Sequence, residues 1–417
     1  MAFKQPMAEK YLAQKNILLG VTGSIAAYKA ADLASKLAQA GALVDVILTP
    51  AATEFISPLT FQSVTGRPAY TDKALWGAEA HVLHVGLGHS ADMLVIAPAT
   101  ANTLARLAQG LADNLLVLAA LSFGSGSPEK PLLIAPAMDA GMLNHPATQA
   151  NLELLRQRGA VIIGPEEGHL ASGLEARGRM TEPAVLLGHI RYLLTRTGPL
   201  QGRHAVVTAG GTQEAIDPVR MIANHSSGKQ GYALAQAALD AGARVTLIST
   251  PVALQPPQGA EYLQVTSAAE MELAVLKACS SADVLLMAAA VADFKPVHFS
   301  GQKIKKHAGL HTLELEPTPD ILLAVSKIRK KSQLPKVVVG FAAETHDLLT
   351  QAKAKLKSKA LDLIVANDVS HPGSGFGADT NQVTLLFPDG CAEPLPLLSK
   401  SEVAERVLAE VVRLLQP

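Results

Sequence analysis

Short apolar runs alternate with alanine-rich helical stretches along this chain, and the alternation starts twice, at Asn16 and again at His204. Asn16 to Val21 reads as a strand, Thr22-Gly23-Ser24 as a turn, Ile25 to Gln39 as a helix that Gly41 stops, and Leu43 to Leu48 as the next strand. Further strands are predicted at Met93 to Ala97, Leu132 to Ala135 and Val161 to Ile163, with a helix at Asn151 to Arg158. Such βαβ units demand parallel sheets covered on both faces, with right-handed crossovers. In those sheets ligands lie beyond the carboxyl ends of the strands, which here gathers Thr22 to Ser24, Thr49, Pro98 to Thr103 and Pro136 to Met142 around one crevice.

The restart is denser in chemistry. Val206 to Thr212 is an apolar run ending in Gly-Gly-Thr, and Asn224-His225-Ser226-Ser227-Gly228-Lys229 precedes an alanine-rich helix over Gly228 to Ala241. Glycine lets backbone approach an anion, while hydroxyls and a lysine add donors, so this loop is expected to bind phosphate. It is not a Walker A loop, because the required glycine and lysine spacing is absent. Strands at Arg244 to Ser249 and Asp283 to Ala288, with a helix over Ala268 to Ala278, make the second half α/β as well. The turn-rich stretch Arg196 to Gly202 is the expected join, giving domains at 1-197 and 198-417.

At 417 residues and 48% apolar content the chain can bury more than one core. Its 36 basic and 36 acidic residues cancel, which argues against nucleic acid or an acidic membrane as partner. Met1 to Lys15 lacks an apolar leader core, and no apolar run approaches the roughly 20 residues of a bilayer span, so a soluble cytoplasmic protein is expected. Cys279 and Cys391 are the only cysteines, which excludes a disulfide framework and cysteine metal clusters. His81, His84 and His89 are spaced by 3 and 5, unlike an i, i+4 metal pair.

Gly23-Ser24-Ile25-Ala26-Ala27-Tyr28-Lys29, Pro98-Ala99-Thr100-Ala101-Asn102-Thr103 and Pro136-Ala137-Met138 resemble the flavin-binding cysteine decarboxylases. Asp217-Pro218-Val219-Arg220, Asn224 to Lys229, Ala289 to Phe294, Lys303-Ile304-Lys305-Lys306, Gly340 to Thr345 and Asn367-Asp368-Val369 resemble the phosphopantothenate-cysteine ligases. Together they resemble the bacterial bifunctional coenzyme A biosynthesis family along nearly the whole chain. The resemblance implies two doubly wound Rossmann-like domains, a flavodoxin-like flavoprotein domain followed by a nucleotide-binding ligase domain. It also implies FMN, Mg2+ and CTP, with phosphopantothenate and cysteine as substrates of a homo-oligomer.

By the same resemblance, Gly23, Ser24, Thr49, Thr100 and Met138 contact FMN, with His84, Asn102 and the flap residue Ser172 catalytic. In the ligase half, Asn224 orients the acyl intermediate, and Asp293, Lys303, the Pro319-Asp320-Ile321-Leu322 turn, Phe341, Lys355 and Lys359 bind CTP. Lys355 and Lys359 are four apart, so as helix neighbours they repel unless an anion lies across them. The first half departs from its family in three places, one of them Met142-Leu143, where the family has Met-Trp. Ala171-Ser172-Gly173 replaces Ala-Cys-Gly in the flap, and Asp139 replaces the asparagine of Pro-Ala-Met-Asn. A serine hydroxyl is a weaker acid than a thiol of pKa about 8.5, so Ser172 read alone predicts a reaction that halts at the enethiol after releasing carbon dioxide. The alternatives are a ligase whose flavin domain is idle or halts there, and an oxidoreductase using nicotinamide. The latter lacks Gly-x-Gly-x-x-Gly after the strands at Asn16 and His204.

Overall fold

The computed structural model describes residues 11–76, 82–124, 127–305, 312–344, 348–368 and 377–416, without the side chains of residues 343, 344, 348 and 368. His81, Lys306, His307, Thr345 and Val369, which the motifs include, lie outside the described residues. The chain divides into two compact units, Met1–Leu194 and Thr195–Pro417.

In the first unit the strands are β1 (Asn16–Val21), β2 (Leu43–Leu48), β3 (Ala69–Tyr70), β4 (Met93–Ala99), β5 (Leu132–Pro136), β6 (Val161–Ile162), β7 (Glu166–His169) and β8 (Glu175–Arg179). The helices are α1 (Ala27–Gln39), α2 (Pro50–Thr53), α3 (Pro58–Thr65), α4 (Leu83–Ser90), α5 (Ala101–Gln109), α6 (Leu115–Phe123), α7 (Ala140–Asn144), α8 (Pro146–Gln157) and α9 (Pro183–Thr195). Six strands form one sheet, ordered β3-β2-β1-β4-β5-β6, and every pairing is parallel. Without the two-residue β3 the order is that of a flavodoxin-like fold, and the switch point falls between β1 and β4. Alternation of side chains explains the double cover. Ile17, Leu19 and Val21 enter one core with α1 and α9, while Leu18, Leu94 and Ile96 enter another with α5 and α6. Outside the sheet, β7 and β8 pair as an antiparallel hairpin.

The second unit has β9 (His204–Ala209), β10 (Gln213–Ala215), β11 (Met221–Ala223), β12 (Arg244–Ser249), β13 (Glu261–Gln264), β14 (Val284–Met287), β15 (Phe294–Pro296), β16 (Leu315–Pro317), β17 (Val337–Glu344), β18 (Leu363–Asp368), β19 (Thr380–Asn381), β20 (Val383–Leu386), β21 (Ala392–Pro394) and β22 (Leu398–Ser399). Its helices are α10 (Lys229–Asp240), α11 (Ala268–Cys279), α12 (Ile321–Ser332), α13 (Leu348–Ser358) and α14 (Lys400–Leu415). The main sheet runs β13-β12-β9-β14-β17-β18-β20-β21, parallel as far as β18 and antiparallel at the last two strands. At the amino edge of this sheet Asp283 accepts from the His204 amide at 3.0 Å and from Arg203 at 3.0 Å, and pairs with Lys336 at 3.1 Å. Burial alone would raise its pKa, yet these donors hold Asp283 below the usual carboxylate range. Among the described residues no helix is long and apolar enough to cross a membrane.

Candidate active sites

The loops beyond the strand ends of the first unit are tied to one another. Thr22 Oγ1 donates to the Pro98 carbonyl at 2.7 Å and accepts from the Thr100 amide at 3.1 Å, which fixes the β1 and β4 loops together. At Gly23 a Cβ would come within 2.5 Å of the Ala51 side chain, so only glycine lets this loop lie against α2. The Gly23 and Ser24 amides find no acceptor among the described residues, and they lie just ahead of the 13-residue helix α1. That is a fitting cradle for a cofactor phosphate. Thr49 and Thr100 are engaged as N-caps of α2 and α5, accepting from Ala52 and Thr103. Asn102 therefore does not cap α5. Its Oδ1 instead accepts from Arg106 Nε at 3.3 Å, one turn on.

His84 lies in the first turn of α4 with Nδ1 buried and without a partner among the described residues, as suits a residue that meets a ligand group. No cluster of three metal-ligating side chains occurs among the described residues. The Met138 amide donates to the Gly178 carbonyl of the flap at 3.1 Å. Two of the departures from the family pattern meet. Ser172 Oγ donates to Asp139 Oδ2 at 2.8 Å, and the other Asp139 oxygen accepts from the Gly141 amide at 2.8 Å as the N-cap of α7. The Ser172 hydroxyl, then the Gly141 and Ala140 amides, outweigh partial burial and hold the Asp139 carboxyl below its ordinary range.

The second unit contains a cavity of about 640 Å³ at the carboxyl ends of its parallel strands. Asn224, Asp293, Pro319, Asp320, Ile321, Leu322, Phe341, Lys355 and Lys359 all line it. The floor is set by backbone: the Thr212 amide donates to the Ala290 carbonyl, Thr212 Oγ1 accepts from the Ala292 amide at 2.9 Å, and Asn224 Nδ2 donates to the Val291 carbonyl at 3.0 Å. Asp320 caps α12 through the Leu323 amide and pairs with Lys359 at 3.1 Å. Lys359 lies just past α13, its amide still bonded to the Lys355 carbonyl.

One expected residue is elsewhere. Lys303 is exposed and does not line the cavity, because its segment is held to the Asp217 turn. The Ser300 amide donates to the Ile216 carbonyl, and the Ile304 amide to Asp217 Oδ2 at 3.2 Å. Burial would raise the Asp217 pKa, but the Val219, Ile304 and Arg220 amides outweigh it and keep the carboxylate low.

Sequence reasoning missed the opposite wall. Lys229 donates to the Gly377 carbonyl at 2.8 Å and to Asp379 at 2.6 Å, and Lys400 donates to the Ala378 carbonyl at 2.6 Å. Lys229 had been singled out only as part of a phosphate loop, and Lys400 not at all. The available signal was Ser399-Lys400-Ser401-Glu402, a capping box that starts α14 and puts Lys400 at its first position. Burial, then the charge of Lys229, pushes the Lys400 pKa down, and Asp379 opposes them.

The two sites define a bifunctional α/β enzyme with a flavoprotein unit and a separate anion-binding unit. Residues 7–194 match the family described as Flavoprotein, and residues 200–415 match the DNA/pantothenate metabolism flavoprotein C-terminal domain. The chain is 47% identical over 406 residues to the coenzyme A biosynthesis bifunctional protein CoaBC of Bacillus subtilis (strain 168), covering 97% of this chain and 98% of that protein. It is 44% identical over 413 residues to the protein of the same name from Mycobacterium bovis, covering 96% and 97%. A crystal structure of the C-terminal domain of such a protein aligns with a TM-score of 0.45 and 40% identity, over 52% of this chain and 98% of that one. The chain belongs to the coenzyme A biosynthesis bifunctional protein family. It is an enzyme of coenzyme A biosynthesis with ligase and decarboxylase activities. The nicotinamide oxidoreductase and idle flavin domain alternatives are not favoured by these relatives.

Proposed function

We propose that the second unit joins 4'-phosphopantothenate to cysteine with CTP, and that the first unit decarboxylates the product to 4'-phosphopantetheine with FMN. The observation that carries the ligase reading is the cavity walled by Lys229, Lys355, Lys359 and Lys400, four cations around a space large enough for a nucleotide. The substrate carboxylate attacks the α-phosphorus of CTP, pyrophosphate leaves, and the cysteine amine then displaces CMP from the acyl-cytidylate. Both steps develop negative charge on phosphate oxygens, which fixed lysines stabilise without moving. Asn224, held by the Val291 carbonyl, turns its amide toward the acyl group. Mg2+ would bind through the nucleotide phosphates and Asp293, the exposed carboxylate on the cavity floor, where it neutralises phosphate charge.

In the first unit FMN fits the open Gly23 and Ser24 amides, with His84 and Met138 near the strand-end loops. When bound it supplies two-electron oxidation and reduction of the substrate sulfur-bearing carbon. The protein acts in the cytoplasm as a homo-oligomer, with the join between its halves at residues 197 and 198. The test incubates the purified protein with phosphopantothenate, cysteine and CTP. CMP, pyrophosphate, carbon dioxide and phosphopantetheine are the expected products, and absence of CMP would overturn the ligase reading.

A further inference from the structure

Decarboxylation replaces a C–C bond by a C–H bond at the same carbon, and its balance, RCO₂⁻ + H⁺ → RH + CO₂, consumes one proton. The group that delivers this proton must stand beside the departing carboxylate, because both act on one atom. Two residues of the flavin unit are placed for that. Ser172 occupies the flap tip, and the flap is pinned down at Gly178, where a Cβ would overlap the Met138 carbonyl oxygen. Asp139 follows β5 by three residues, inside the strand-end crevice, with one oxygen committed to α7 and the other to Ser172. A serine alone is a poor acid, and a carboxylate alone holds no proton to give. Together they form a chain that can carry one.

We propose that Asp139 takes up the proton consumed by the reaction when substrate binds, and that Ser172 Oγ passes it to the carbon that has lost carbon dioxide. This rests on the decarboxylation reading above. In the resting protein Asp139 is ionised, held so by the Ser172 hydroxyl and the Gly141 and Ala140 amides, with no charged side chain of the described residues among the causes. A substrate carboxylate arriving in the same crevice presents a like charge and displaces water. Both favour the protonated form, so the two carboxyl groups share one proton. Carbon dioxide then leaves an enethiolate. The Oδ2–H bond of Asp139 breaks as a new Oγ–H bond forms, while the original Ser172 proton moves to carbon. The C=C pair makes the C–H bond, and a sulfur lone pair makes C=S. Asp139 is left as a carboxylate, ready to be loaded again, and the oxidation and reduction on either side belong to the flavin. Ser172 is then a catalytic residue and Asp139 its proton reservoir.

The experiment uses the full chain with flavin bound and, as probe, phosphopantothenoylserine, whose hydroxyl replaces the thiol that would be oxidised. Titration calorimetry in two buffers of different ionisation enthalpy should show about one proton taken up per chain near pH 7 by the unaltered protein, and none by Asp139→Asn. The decarboxylated analogue, phosphopantothenoylethanolamine, should cause no uptake in either. With phosphopantothenoylcysteine, kcat/KM of the unaltered protein should fall tenfold per pH unit on the alkaline side. Asp139→Asn should lose that dependence and accumulate enethiol. Ser172→Ala should keep the uptake yet lower kcat for phosphopantetheine by at least 10²-fold with KM little changed. Equal uptake by unaltered protein and Asp139→Asn would overturn the inference, as would phosphopantetheine made by Asp139→Asn with the unaltered pH profile. Carbon dioxide from the unaltered protein is the control: its absence would overturn the decarboxylase reading itself, whereas its release without proton uptake overturns only the role of Asp139.

Discussion

The two units share a plan, a parallel sheet with ligand loops at its carboxyl edge, but they furnish those loops in opposite ways. The flavoprotein unit presents backbone amides at Gly23 and Ser24, helix caps at Thr49 and Thr100, and one carboxyl–hydroxyl pair joining Asp139 to the hairpin. The ligase unit surrounds a cavity with four lysines. The difference suits the function proposed above, in which one site moves a proton and electrons at a carbon and the other neutralises a nucleoside triphosphate. A shared topology therefore leaves the supply of charge to the loops.

The comparison is tested most severely by removing the ligase cations. The double variant Lys355→Ala/Lys359→Ala should lower ligase kcat/KM by about 10³-fold, since each loses a donor to developing charge. Carbon dioxide release from added phosphopantothenoylcysteine should be unchanged. A parallel loss of both activities would mean that the units are not chemically independent. Lys400→Met is expected to cost about tenfold in ligase kcat/KM, with an alkaline limb lost from the pH profile. The sign follows from burial: a lowered Lys400 pKa means its positive charge disappears at a pH where exposed lysines keep theirs. Lys400→Arg should move that limb to higher pH.

Smaller effects come from outside the cavity. Asp283→Asn should destabilise the ligase unit by about 2 kcal/mol at pH 7 through weaker charge-assisted bonds to Arg203, Lys336 and His204. Because the folded pKa of Asp283 lies below its unfolded value near 3.9, this contribution is complete above that value and fades as pH falls through the folded pKa. The difference in melting temperature between the two proteins should therefore be constant above about pH 5 and shrink as pH falls below about 4. Lys303→Ala should change ligase kcat/KM by less than tenfold, since its segment is tied to the Asp217 turn and outside the cavity. A loss of 10²-fold or more in steady-state assays would show that Lys303 enters a site after all.

Strands β1, β2, β9 and β12 were legible because each is a short, mostly apolar run bounded by glycine or threonine-proline, the signature of a strand largely buried on both faces. The β7–β8 hairpin was not, since Glu166-Glu167-Gly168-His169 and Glu175 to Arg179 bury no apolar face to betray a period. Most of the ligase cavity could be read because its motifs are local and distinctive. Lys303 is not among the residues lining the cavity, and its backbone is anchored to the Asp217 turn instead. Ser172 read alone looked like a lost acid. Its partner lies 33 residues away, a contact that no local pattern announces.

The order in which the cavity residues occur along the chain has a consequence for synthesis. Lys400 follows every other lining residue in sequence, and α14, which it begins, seats Val403, Val407 and Val411 in the interior beside α10. A ribosome-bound chain has therefore exported the whole flavin unit, and most of the second sheet, before the ligase cavity can close. Domains fold as units as they emerge. The decarboxylase half is thus able to mature on a nascent chain whose ligase half still lacks a wall, so the two activities of one polypeptide come into being at different times.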